Sequence, residues 1–465
     1  MDNGNPPRAT AHKREKRGDA RSSLRRKLAT VGASLGALVL VVALLVLVFG
    51  GTILNRYGKG RAEHAFAEAH PGSELRIGDL SFALGANRLV AQSVTLKAAR
   101  TTVRVERLAL TGVRWARLLR GKSGLADALT RAVLEAVNLD AEFPRSHYGL
   151  RCAQLRASAP NSELAAAGIE LRTLVDDEAF FAAQAFRTTR LRVVVPELKA
   201  LGLAYGDLLG GRSYRARSVH LSRPSLEALV NRDRPVEPFV RSPRMAHEAL
   251  ASIRKPLQVD SLSIAGGQVR YCERRLAGTD PGVLTFGAVS LAAAGISNLA
   301  AASAPIEIRA QGDLMNAGTL KVQMTIPVAS PDFSLHYSGS LGAMDLIRLD
   351  AFLAVAEQTR IKSGTVQQVT FDIDVTAGRA RGRVRAGYRN LKITVLGEQT
   401  SNKPGRASGF ASFLANLIGV RNDNAPDGSG LMREGKVDYA REPGNEFLQF
   451  LWFALRSGVI DVISF

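Results

Sequence analysis

The chain has 465 residues, of which 46% are hydrophobic, and it carries a formal net charge of +20 at pH 7. This length allows two to four folded domains, and the hydrophobic fraction is ordinary for a folded protein. Because there are only two cysteines, Cys152 and Cys272, a disulfide scaffold and a four-cysteine zinc site are excluded. One disulfide between them and two buried free thiols are both compatible with this count.

The N-terminal region is a basic tail followed by an uncharged apolar segment. Residues 1–27 carry nine Lys/Arg against three Asp/Glu, which predicts a disordered basic tail. Residues 28–54 contain no charged residue and are longer than the roughly 20 positions that a transmembrane helix needs. Because basic flanks stay in the cytoplasm, we expect a single-pass anchor with a cytoplasmic N-terminus and an exported remainder. A cleaved signal peptide is the alternative.

The exported region is itself basic. The tail has a net charge of +6, which leaves +14 of the total +20 for the rest of the chain. With this topology nucleic acid is excluded as a partner, and anionic lipid or cell-wall surfaces are the acidic partners that the region would meet. The alternative interpretation is that the charge serves solubility alone.

A spacing of four apolar residues recurs after the anchor and predicts bent strands. The apolar residues stand at i, i+2, i+5 and i+7, which share no face of a helix. On a strand they share a face only if a one-residue bulge interrupts the alternation. The alternative is five ordinary amphipathic strands. The occurrences are Leu75, Ile77, Leu80 and Phe82; Val103, Val105, Leu108 and Leu110; Tyr214, Ala216, Val219 and Leu221; Leu257, Val259, Leu262 and Ile264; and Leu284, Phe286, Val289 and Leu291.

Short helices are expected between these strands. One strand ends before Pro224, and the pattern after it predicts a short helix from Ser225. A further helix is predicted over residues 245–253. The alternation of strand, proline-marked turn and short helix assigns residues 55–305 to a repeat-strand region, an antiparallel meander with helical corners.

Residues 306–400 are predicted to be mainly strand, and one hairpin can be assigned residue by residue. Ala377 and Gly378 supply its two-residue turn. The apolar residues of the first strand are Val369, Phe371, Ile373 and Val375. The register that follows from this turn pairs Asp374 with Arg381, Asp372 with Arg383, and Phe371 with Val384.

Four arginines on the second strand of this hairpin share one face. They are Arg379, Arg381, Arg383 and Arg385. A stripe of this kind is a candidate phosphate-binding surface. Because the predicted register places aspartates opposite two of the four, a solvated strand face is the favoured interpretation.

Residues 401–465 are predicted to form a loop followed by an apolar helix. Charges at Arg456 and Asp461 argue against a second membrane span. The helix either closes the end of the sheet or lies in a membrane interface. The candidate interface residues are Phe447, Phe450, Leu451 and Trp452.

No residue pattern points to catalysis, a cofactor or a metal. No two of the seven histidines are three to five positions apart, so there is no local metal-binding pair. Residues 116–123 satisfy a relaxed phosphate-loop pattern, but Arg-Leu-Leu-Arg occupies the positions where a phosphate cradle needs exposed backbone. We therefore predict that the protein is not an enzyme and that it has no cofactor and no metal site.

The exported region resembles the AsmA-like, TamB-related proteins of the bacterial envelope. The resemblance is carried by three segments, residues 219–227, 257–271 and 361–366, together with the predicted N-terminal anchor. It implies a mainly β (α+β) fold in which one inner-membrane helix precedes an elongated, curled antiparallel sheet with short helical corners. It also implies a periplasmic location for most of the chain and an apolar groove that holds lipid.

The resulting functional hypothesis is a non-catalytic protein for lipid handling or outer-membrane biogenesis, with membrane lipid as partner and cargo. The alternative is an envelope scaffold that docks another protein through a sheet edge or the C-terminal helix, and a hydrolase acting on an envelope polymer is the third hypothesis. Each candidate groove residue is alternatively an ordinary core residue. The candidates are Leu257, Val259, Leu262, Ile264, Phe371, Ile373 and Val375.

Overall fold

In the computed structural model, residues 58–464 are described except for 70–71, 84, 99, 115–124, 236–243, 300–303, 329, 331, 397–419 and 429–431. The predicted basic tail, the predicted membrane segment and residues 116–123 lie outside the described residues. Within the described part, no helix is both long enough and apolar enough to span a membrane.

The fold is mainly β, and the strands of the described residues belong to one sheet. The strands are β1 (Glu74–Arg76), β2 (Asp79–Ala83), β3 (Arg88–Ala98), β4 (Thr101–Thr111), β5 (Val133–Phe143), β6 (Tyr148–Ser158), β7 (Glu163–Thr173), β8 (Thr189–Leu201), β9 (Tyr214–Ser222), β10 (Ser225–Asn231), β11 (Leu257–Arg274), β12 (Gly282–Ser297), β13 (Ile306–Leu314), β14 (Gly318–Ile326), β15 (Leu335–Leu341), β16 (Met344–Asp345), β17 (Thr359–Thr376), β18 (Arg379–Val395) and β19 (Glu434–Ala440).

Neighbouring strands are mostly antiparallel and follow chain order, as the meander predicts. The parallel ladders of the described strands involve β9 and β10, which together form one interrupted strand between β8 and β11 and run parallel to β11. Chain order is also skipped where β1 pairs with β3 and β15 with β17. The helix predicted from Ser225 is therefore wrong. Ladders to β8 and β11 on both sides of β10 outweigh the local preference of this short segment.

Seven short or medium helices of the described residues pack on this sheet. They are α1 (Gly58–Ala69), α2 (Leu125–Ala128), α3 (Asp177–Ala182), α4 (Tyr205–Leu209), α5 (Ala246–Ala251), α6 (Asp350–Ala356) and α7 (Phe447–Ile463), with 3₁₀ turns at Pro144–Ser146 and Leu346–Leu349. At the start of α7, the Gln449 side chain accepts a hydrogen bond from the backbone N–H of Glu446 (3.3 Å). The helices predicted over 245–253 and near the C-terminus are confirmed as α5 and α7.

Apolar residues form continuous rows across the sheet. Directly opposed residues share a face, so the pairings can be followed from strand to strand. We call the first of these rows the Ile264 row. It comprises Leu80, Ala91, Leu108, Ala136, Leu155, Ala166, Leu198, Leu221, Ile264, Leu291, Ala310, Val322, Gly339, Phe371, Val384 and Gly435.

A second row, which we call the Leu262 row, runs beside the first. It comprises Phe82, Leu89, Leu110, Leu134, Ala157, Leu164, Ala200, Val219, Leu262, Ala293, Ile308, Met324, Tyr337, Ile373, Gly382 and Val437. Both rows reach from β2 to β19. The sheet therefore has one apolar face that continues across the whole structure.

A crease crosses the N-terminal part of the sheet and keeps the repeat residues on one face. Gln92 pairs with Arg107 and Val94 with Val105, so Ser93 and Glu106 are skipped together and the register is unchanged. The same happens across β1 to β8. The residues at the crease are Gly78, Ser93, Glu106, Asn138, Ala153, Gly168 and Pro196.

This crease replaces the expected one-residue bulge. Ser93, Asn138 and Gly168 have φ angles of 50°, 51° and 61°, so left-handed backbone occurs on alternate strands. Both strands of a pair bend at the same position, and no residue is inserted. Register shifts of the expected kind accompany the repeat on β12.

The hairpin prediction is confirmed. Asp374 is opposite Arg381, Asp372 is opposite Arg383, and Phe371 is opposite Val384. Ala377 and Gly378 have φ angles of 47° and 76°, as a tight hairpin turn with two left-handed residues requires.

Candidate apolar binding surface

Three adjacent strands, β9, β11 and β12, carry large aliphatic residues on the apolar face. Each of these residues is half-buried. None of them belongs to a buried core cluster of the described residues or packs at the margin of one. We call this surface the middle tract, which comprises Val219, Leu221, Leu257, Val259, Leu262, Ile264, Val289 and Leu291.

On the N-terminal side of the middle tract, the same apolar face is covered. Phe66 of α1 and Leu129, which follows α2, belong to one buried cluster with Leu80 and Leu108. Cys152 lies in this cluster as well. The large side chains there have packing partners and form a core.

On the C-terminal side, α5 and α7 cover the face. Phe450 and Ala454 of α7 form a buried cluster with Ile373. Met245, immediately before α5, belongs to the same cluster. The middle tract is therefore a less buried stretch between two covered regions of one apolar face.

The predicted groove residues divide between these regions. Leu257, Val259, Leu262 and Ile264 lie together on β11 in the middle tract. The other three are buried core residues beneath α7, and their side chains are occupied by protein contacts. They are Phe371, Ile373 and Val375.

The predicted interface residues of α7 also divide. Phe450 is 0% exposed, and Phe447 and Leu451 pack at the margin of the same cluster, whereas Trp452 is 45% exposed. Leu448, which the sequence reasoning did not single out, is 75% exposed. Its spacing of four residues from Trp452 places both on one helix face, and this spacing was the available signal.

Arginines gather at the β10–β11 end of the sheet, beyond the middle tract. The Arg232 guanidinium lies 2.5 Å from Glu273 and donates to the backbone carbonyl of Ala356 at the end of α6 (2.9 Å). Arg275 donates to the carbonyl of Val355 (2.8 Å). Burial, together with the charges of Arg232 and Arg275, lowers the pKa of the Arg187 guanidinium. The cluster combines close positive charges with the carboxyl end of a helix.

Tyr271 and Glu273 separate the arginines from the apolar residues of β11. The Tyr271 hydroxyl donates to Glu273 (2.5 Å) and its ring meets Phe352 of α6 edge-on. Burial and the adjacent carboxylate raise the pKa of Tyr271. This tyrosine is therefore a neutral hydrogen-bond donor at neutral pH.

The structure also brings together three side chains that could bind a metal and that sequence reasoning missed, one histidine and two aspartates. His336 Nδ1 lies 2.9 Å from Asp374 Oδ1, and His336 Nε2 lies 3.9 Å from Asp372 Oδ2. A search for closely spaced histidines could not find this group, because its members lie on different strands.

Both cysteines are free and buried, so of the two interpretations of the cysteine count the structure has free thiols. Burial raises the pKa of each thiol, which keeps it protonated and weakly nucleophilic at neutral pH.

Comparisons with protein-family models and with curated proteins give no match for this chain.

Proposed function

We propose that the chain is a membrane-anchored protein of the bacterial envelope whose middle tract holds the acyl chains of phospholipid. The observation that carries this proposal is the half-buried state of the tract between two covered regions of one apolar face. Apolar side chains on a sheet are stabilised by a covering layer, which can be a helix, a partner or a ligand. The resemblance to AsmA-like proteins suggests lipid as that layer.

The arginine cluster supports the same proposal. Arg187, Arg232 and Arg275 lie beyond one end of β11, and Glu273, which pairs with Arg232, offsets part of their positive charge. Phospholipids join apolar chains to an anionic phosphate, and arginine binds phosphate through several fixed donors. A phospholipid whose acyl chains lie on Leu262 and Ile264 would direct its anionic phosphate toward this arginine cluster.

Site-specific photo-crosslinking tests the lipid proposal. A benzophenone amino acid in place of Leu262 in the full chain should form adducts with phospholipid when cells are irradiated, and mass spectrometry of the purified protein detects them. The matched control is Gln258, which is exposed on the same strand and points to the opposite face. Absence of lipid adducts at position 262, or equal labelling at position 258, would contradict the proposal.

The location that the proposal requires has its own test. Residues 28–54 should anchor the chain in the inner membrane with the bulk in the periplasm. Protease added to cells with a permeabilised outer membrane should then degrade the described region and leave a membrane-protected N-terminal fragment. Full resistance to the protease would place the chain elsewhere.

A scaffold function is the second candidate, and the exposure of Leu448 and Trp452 favours it. Two large apolar side chains on one face of α7 are suited to the core of a protein interface. The same photo-crosslinker at position 452 should then capture one defined envelope protein. Capture of lipid alone at position 452 would count against a protein partner and favour a membrane-interface role for α7.

A further inference from the structure

We propose that His336, Asp372 and Asp374 bind a first-row divalent transition-metal ion. His336 on β15 is paired directly with Asp374 on β17, and Asp372 precedes Asp374 by two residues on the same face. This face is the polar one, since the adjacent residues Tyr337 and Ile373 belong to the Leu262 row and are buried. The sheet register therefore fixes three potential ligands side by side.

The distances between the ligand atoms are suited to a shared ion. One ligand atom from each of the three side chains lies within 4.8 Å of the other two. Zinc binds imidazole nitrogen and carboxylate oxygen at about 2.0–2.2 Å, so two ligands of one ion lie roughly 3–4 Å apart. Small rotations of exposed side chains would close this difference, while the backbone stays held by the ladder between β15 and β17.

The neighbouring charges leave the two aspartates available. Arg381 and Arg383 lie opposite them on β18, but the ion pairs of this strand in the described structure run to β19 instead. These are Arg379 with Asp438, and Arg383 and Arg385 with Glu434. Within the described structure, the side chain that both Asp372 and Asp374 contact is His336, whose Nδ1 is hydrogen-bonded to Asp374 Oδ1.

The donor set selects the class of metal. One imidazole with two carboxylates suits zinc, cobalt, nickel or copper, whereas magnesium and calcium prefer oxygen ligands alone. The two carboxylates are exposed and the imidazole is half-buried, so water would complete the coordination sphere. A bound ion would also link β15 to β17 and stabilise the folded state by mass action.

Calorimetric titration of the untagged full chain in detergent with ZnCl₂ tests this site. We expect one saturable binding event that is weakened by about tenfold or more in His336→Ala and is also weakened in Asp374→Asn. An excess of MgCl₂ should not displace the zinc. The control is His220→Ala, because His220 is an exposed histidine whose ring nitrogen bonds to Ser263, and this variant should bind as the parent does.

A second measurement keeps the test independent of folding. Zinc should raise the unfolding temperature of the parent and of His220→Ala but not that of His336→Ala, with the three proteins unfolding at similar temperatures in chelator. Binding that persists unchanged in His336→Ala, or no saturable binding in the parent, would overturn the proposal. The lipid proposal is unaffected by either result, because the two sites lie on opposite faces of the sheet.

Discussion

Leu262 and Ile373 stand on the same row of one sheet, yet their surroundings differ. Ile373 is 0% exposed and packs in a cluster with residues of α7, while Leu262 is half-buried and belongs to none of the buried clusters of the described residues. Both are aliphatic residues on bent strands. The difference shows that the strand pattern fixes which face is apolar, whereas helices from elsewhere in the chain decide how much of that face is filled.

The difference in burial along the row decides whether its side chains form a core or remain able to bind a ligand. At the C-terminal end, Phe450 and Ala454 supply the second layer, and the row becomes a core. In the middle tract the side chains of the same row are only half-buried. A substitution there should cost less folding stability and have more effect on whatever binds the face.

The largest effect is expected from the helix that covers the C-terminal end. Phe450→Ala should reduce the free energy of unfolding by about 3–5 kcal/mol, since it removes a fully buried ring from the core. Leu448→Ala on the same helix should change it by less than about 0.5 kcal/mol. Denaturant titration of the full chain measures both. Equal costs for the two variants would show that α7 does not pack as described.

A direct comparison within the Leu262 row comes next. Ile373→Ala should cost about 2–5 kcal/mol, and Leu262→Ala only about 1 kcal/mol, because a half-buried side chain loses a fraction of its transfer free energy. The same denaturant titration applies, with lipid removed beforehand. If Leu262→Ala proves as costly as Ile373→Ala, the middle tract is an ordinary core and the distinction between the regions fails.

Local patterns predicted much of the sheet. The hairpin of β17 and β18 could be registered to the residue because its turn chemistry and its strict alternation agree. The repeat spacing correctly placed Val103, Val105, Leu108 and Leu110 on one buried face. Both features depend on residues close together in the chain.

Features that depend on distant segments were not predictable in the same way. The sequence near Phe371 does not predict that α7 will cover this residue. The sequence near Ser225 does not predict that β10 will form ladders with strands on both sides. The grouping of His336 with Asp374 requires the pairing of β15 with β17, which local spacing does not specify. The spacing does not distinguish a crease from a bulge, because the i, i+2, i+5, i+7 pattern is the same whether one strand or both strands bend.

A substitution at the crease is expected to have an intermediate effect on the free energy of unfolding. Gly168 has φ +61°, and an added Cβ would lie 2.9 Å from the Cβ of Ala153, so Gly168→Ala should cost about 1–3 kcal/mol through backbone strain and the clash. Gly85→Ala is the control, since a Cβ there meets nothing within 4 Å, and it should be nearly neutral. Should Gly168→Ala be as neutral as the control, the crease is not a strained feature of the N-terminal sheet.

The smallest effect expected is a pH dependence at the boundary between the two regions. His247 of α5 stacks on Phe333 with ring centroids 5.7 Å apart, and burial lowers its pKa from 6.5, with Glu248, Arg441 and Asp332 as the charged groups nearby. Protons then bind the unfolded chain more readily than the folded one, so this contribution to stability is present above about pH 6.5 and should be lost as the pH falls below that value through the lowered pKa of the folded state. We expect the amide hydrogens of α5 to exchange faster at pH 5.5 than at pH 7.5, when exchange is compared with that of amides which open only on global unfolding.

His247→Gln should remove this difference, because glutamine does not titrate. Since Ile296 packs against the same cluster as α5 and pairs with Val259, loosening of α5 would enlarge the less buried stretch of the apolar face. An equal pH response in the variant would assign the effect to other groups.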